Sequence, residues 1–200
     1  MRLSFLSRCL VAATVLVVPA VSHADAAADI VMIFGRDPGM GAAHACFLRR
    51  YSKAHLASHP QQNVTDMLLY VSKQEGSEPY YGLSLQVNFR QLSKPFQVAG
   101  SCSIESGGKS TLGCGIDCDG GHLGVRVKDA RSLLVEIPNS VRIFDPADME
   151  GEADADLPQG ARFGADDKLF RTDRTDLRDC VPLIYDEAIK ASVMQGETSQ

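Results

Sequence analysis

The chain contains no tryptophan, and only 6% of it is aromatic. That removes the residue most used to anchor interfaces and to stack on sugars, which weighs against carbohydrate binding. There is no excess of positive charge: 20 Lys and Arg stand against 25 Asp and Glu, for a formal charge of −5. An acidic chain argues against nucleic acid and anionic membranes as partners. After residue 24 no apolar run approaches the ~20 residues that a membrane-spanning helix needs. There is no GxSxG elbow, no phosphate-binding glycine loop and no HExxH helix, so no catalytic residue can be named and no cofactor is implied. No internal repeat is present.

What is there begins with an export signal. Arg2 and Arg8 give residues 1–24 a positive start, Leu10 to Val18 an apolar middle, and Ser22-His23-Ala24 small residues at the cleavage positions. This is the pattern of a secretory signal peptide. Its loss takes the formal charge to −7 and leaves Cys46, Cys102, Cys114, Cys118 and Cys180. An oxidising compartment such as the periplasm favours two disulfides and one spare thiol. Residues 25–200 then form a single domain, with 25–29 and 195–200 expected to be disordered.

The middle of the chain is organised in steps of two. Phe96, Val98, Gly100, Cys102 and Ile104 alternate with polar or small neighbours, as do Leu112, Cys114, Ile116 and Cys118. Such alternation marks half-buried strands and puts three cysteines on the apolar face. Similar runs cover 67–71, 83–89, 123–127, 133–137 and 141–143, and Lys168 to Thr172 is a candidate eighth strand. Short loops make neighbours antiparallel. The expected fold is mainly β, an antiparallel meander of seven or eight strands closed as a barrel or folded as a sandwich. Glycines 100, 113, 115 and 124 are read as bends or bulges.

Register follows from parity. Residues opposite each other share a face, so an odd-length loop centred on Gly108 pairs Ile104 with Leu112 and Cys102 with Cys114. A Gly120-Gly121 turn would next pair Cys118 with Leu123 and Ile116 with Val125. Cys102–Cys114 is the best-placed disulfide. Cys118–Cys180 is a weaker second bridge, with Cys46–Cys180 as its alternative.

Outside the sheet, Phe47, Leu48, Tyr51 and Ala54 recur at helical spacing, which predicts a helix over 42–57. Asp186 to Met194 is a second, short helix, and the C-terminal tail packs on the sheet around Cys180. Asn63-Val64-Thr65 is a formal glycosylation sequon.

Metal chemistry has weak candidates. His55 and His59 are four apart on the predicted helix, and Cys118 and His122 flank the second turn, but neither set reaches the three or four ligands of a zinc site. Asp145, Asp148, Glu150, Glu152, Asp154 and Asp156 could attract calcium, although their spacing matches no EF-hand. Asp117 and Asp119 are paired carboxylates without a partner base.

The stretches HLASHPQQNVTDMLL (55–69), LGCGIDCDGG (112–121) and ARFGADDKLFRTDRTDLRDC (161–180) together resemble a group of uncharacterised exported proteins of alphaproteobacteria. The resemblance spans most of the mature chain and implies a periplasmic address; it carries over no functional residue. The expectation is a non-enzymatic exported binding or inhibitor-like β-domain with a protein or small-molecule partner. A periplasmic metal-binding protein using Cys and His ligands is the alternative.

Overall fold

Eight strands form a closed antiparallel barrel in which each strand pairs with the next in sequence and the last with the first. The computed structural model describes residues 23–76, 80–105, 111–148 and 157–198. Its strands are β1 (Ala43–Arg50), β2 (Val64–Lys73), β3 (Tyr80–Phe89), β4 (Phe96–Ile104), β5 (Leu112–Ile116), β6 (His122–Asp129), β7 (Ser132–Glu136) and β8 (Leu169–Arg174). Three α-helices, α1 (His23–Phe34), α2 (Lys53–Ser58) and α3 (Glu187–Gln195), and a 3₁₀ segment (Leu177–Leu183) complete the described elements. None of these helices is long and apolar enough to cross a membrane.

Strand alternation decides what fills the barrel. Phe47, Met67, Leu85, Phe96, Leu123 and Phe170, among others, point inward and are fully buried in one cluster. Eight strands leave an interior just wide enough for side chains, and these side chains occupy it.

Both ends are closed. At the end where β1 begins, α1 adds Ile30, Ile33 and Phe34 to the interior cluster, and Phe34 stacks on Tyr81 with ring centroids 6.0 Å apart. Thr111 donates to Asp29 at 2.6 Å, and the Arg174 guanidinium donates to the Met32 and Ile33 carbonyls at 2.6 and 2.8 Å. A cation at the helix C-terminus satisfies its orphan carbonyls and opposes the dipole.

At the opposite end Phe163 lies edge-on to Phe89 and Phe170, with centroids 5.8 and 6.2 Å away. The segment carrying Phe163 is anchored by Asp167, which is fully buried. Its carboxylate accepts from the backbone N–H of Asn63 at 2.8 Å, Val64 at 3.2 Å and Gly164 at 2.7 Å. Only glycine fits at 164: a Cβ there would lie 1.9 Å from the Gln61 carbonyl oxygen.

The C-terminal segment runs over the outside of the barrel as a strap. Leu177, Cys180, Leu183, Ile184 and Val193 bury a second apolar cluster against the outward faces of Cys46, Leu68 and Tyr70. Cys180 is disulfide-bonded to Cys46 of β1. At the far edge Gln97 of β4 donates to the Pro182 carbonyl at 3.2 Å and accepts from the Tyr185 hydroxyl. The strap therefore covers β1 to β3 and is tied to β4.

Several sequence expectations change. Residues 43–50 are a strand, not the start of a 42–57 helix. Ala43, Ala45 and Phe47 face the interior while Cys46 lies in the strap cluster; with both faces buried, the period of two is erased from the sequence. Only Lys53–Ser58 is helical there. Asp25 to Asp29, expected to be disordered, lie in α1. Residues 195–198 are ordered as well: Gln195 ends α3, Gly196 caps it in the left-handed conformation, and Thr198 bonds Ser192. Val141 and Ile143 are buried, but their segment joins the sheet only through the Gln97–Phe144 bridge.

The β5–β6 connection is longer than a Gly-Gly turn. Cys114 faces Leu123 and Leu112 faces Val125, and Asp117 to Gly121 form the loop. Cys118 and Asp119 both take positive φ there, 56° and 57°. Gly100 marks a close approach and not a bend: a Cβ would meet the Gly115 carbonyl oxygen at 2.4 Å. The signal-peptide reading of residues 1–24 falls almost wholly outside the described residues, as do the Gly108 loop and acids 150–156.

Candidate functional site

Among the described residues the strap lies over β1 to β3 and not over the outer face of β5, β6 and β7, whose composition is unusual. Inward positions on β5 and β6 are Leu112, Cys114, Ile116, Leu123 and Val125. The intervening outward positions are therefore Gly113 and Gly115 on β5 and His122 and Gly124 on β6. Gly113 pairs with Gly124, Gly115 with His122, and Gly124 in turn with Glu136 of β7. Three glycines on two adjacent strands put no side chain of their own on the outside of the sheet there.

The missing side chains leave a groove of about 430 Å³, with Glu105, His122, Glu136 and Pro138 on its walls. Glu105 leans over its floor, since a Cβ built at Gly113 would meet the Glu105 Cβ and Oε2 at 3.8 Å each. A Cβ at Gly115 would meet nothing within 4 Å. Among the described residues neither carboxylate has an ion-pair partner. The groove thus offers two acceptors, one imidazole and a flat floor, which is binding chemistry; no nucleophile–base pair lies in it.

The residues singled out in the sequence are scattered. Cys102 and Cys114 face each other across β4 and β5 and are bonded inside the barrel. Cys180 bonds Cys46 and not Cys118, which is an exposed free thiol. The reason is placement: Cys118 sits in the β5–β6 loop, whereas Cys180 lies over β1. His122 is a wall of the groove, separated from Cys118 by the loop.

His55 and His59 stack with centroids 4.1 Å apart. Each already has a hydrogen bond, His55 Nε2 to Gln62 Oε1 at 2.9 Å and His59 Nδ1 to the His55 carbonyl at 2.9 Å. Among the described residues no group of three or more His, Cys, Asp or Glu is placed to hold a metal ion. Of the acidic run, Asp145 pairs with Lys94, whose ammonium, with the Ala147 N–H, holds its carboxyl below the usual range. The sequon asparagine is committed elsewhere: Asn63 Nδ2 donates to the Gly160 and Arg162 carbonyls at 2.8 and 2.6 Å.

One ionisable pair was not foreseen. His44 Nδ1 lies 2.8 Å from the Tyr70 hydroxyl on the outer face of β1 and β2. Burial, and then the nearby Arg36, lower the His44 pKa against an opposing pull from Asp186. Burial also pushes the Tyr70 hydroxyl up. Both residues are buried, and Tyr70 belongs to the cluster between barrel and strap.

The groove itself was missed for a simple reason. Glu105 and Glu136 lie 31 positions apart, and only the successive pairing of β4 to β7 brings them to one depression. The available signal was parity: glycines 113, 115 and 124 alternate with inward apolar residues and so must face out. The chain matches no family model, no curated protein and no solved structure.

Proposed function

We propose that this protein is a non-enzymatic, exported binding domain that holds a partner on the outer face of β5, β6 and β7. The observation that carries the reading is the groove on that face. Three alternatives for a binding surface are occupied. The barrel interior is filled with side chains, both barrel ends are closed by α1 and by the Phe163 segment, and the outer face of β1 to β3 lies under the strap. A groove floored by sheet backbone presents a shape that needs little rearrangement to be filled, which lowers the entropic cost of association. Export is supported by the residue 1–24 pattern and by two disulfides, which persist in oxidising compartments such as the periplasm. The metal-binding alternative is less well supported, because among the described residues no three of its four candidate ligands, Cys118, His122, His55 and His59, are grouped.

The test is site-specific photocrosslinking in the native host. A photoreactive residue at 126, on the open face, should trap one discrete partner; the same residue at 181, on the strap, should not. Gly115→Leu, which fills the groove, should abolish the adduct. Equal crosslinking from both positions, or an adduct indifferent to Gly115→Leu, refutes the reading.

A further inference from the structure

We draw no further inference here: the strongest candidate, the buried side-chain cluster of His44 and Tyr70 on the outer face of β1 and β2 as an acid-sensitive latch for the strap, carries nothing, because Asp186 at the start of α3 favours the charged imidazole while burial and Arg36 oppose it, so these contacts do not set which way protonation would move the strap.

Discussion

The two disulfides should differ in what their loss does. Replacing Cys46 and Cys180 together by alanine opens a loop of 134 residues, and replacing Cys102 and Cys114 opens one of 12. Chain entropy then assigns about 5 kcal/mol to the first and about 3 kcal/mol to the second. Location widens the gap. Cys102 and Cys114 stay opposite each other in the β4–β5 ladder without the bond, so the native state loses little order. Cys46 and Cys180 join β1 to the strap, whose other ties are one apolar cluster and the Gln97 contacts. Urea unfolding of the two double variants, followed by tryptophan-independent far-UV dichroism, measures the difference. The Cys46/Cys180 variant should lose more, and its slope m should rise as the unfolded chain gains surface. A larger loss from the hairpin pair, or an unchanged midpoint without the strap bond, would refute the assignment of the strap to chain-entropy control.

Other predictions follow from single contacts. Gly164→Ala should cost about 3 kcal/mol, because its Cβ meets a backbone oxygen that cannot step aside, whereas Gly115→Ala should be neutral; urea midpoints compare them. Asp167→Asn should cost about 3 kcal/mol by turning one acceptor of buried N–H groups into a donor, with the loss read in the same assay. His44 gives a pH dependence of definite sign. Its pKa is lowered by folding, so the unfolded chain takes up the proton first, and stability present above about pH 6.5 falls as the solution becomes more acid. His44→Gln should flatten that slope between about pH 7 and pH 5; an identical slope in both proteins would exclude His44 as its source.

Much of the sheet was legible because its strands are buried on one face. Parity together with a loop centred on Gly108 places Cys102 opposite Cys114, because the 112–116 strand can turn its apolar residues only one way. The same rule does not fix the register of the next hairpin. Gly120-Gly121 suits a tight turn, but Gly121 instead accepts from the Ile116 N–H through its carbonyl, closing a longer loop. That shift keeps every apolar residue facing in, so parity could not detect it. β1 was illegible for the opposite reason: the strap buries its outer face, and a strand apolar on both sides resembles a buried helix. The Asp167 anchor joins residues about a hundred positions apart, which no local pattern reports. The groove fell between these cases. Its floor was readable as outward glycines, and its walls were not.

The account turns on where the strap lies, since a strap drawn round to the β5–β6 loop would cover the glycine face. Thiol labelling of the mature protein, followed by peptide mapping without reduction, decides this. Labelled Cys118, with Cys46 bonded to Cys180 and Cys102 to Cys114, is the predicted pattern. A Cys118–Cys180 bond would contradict it.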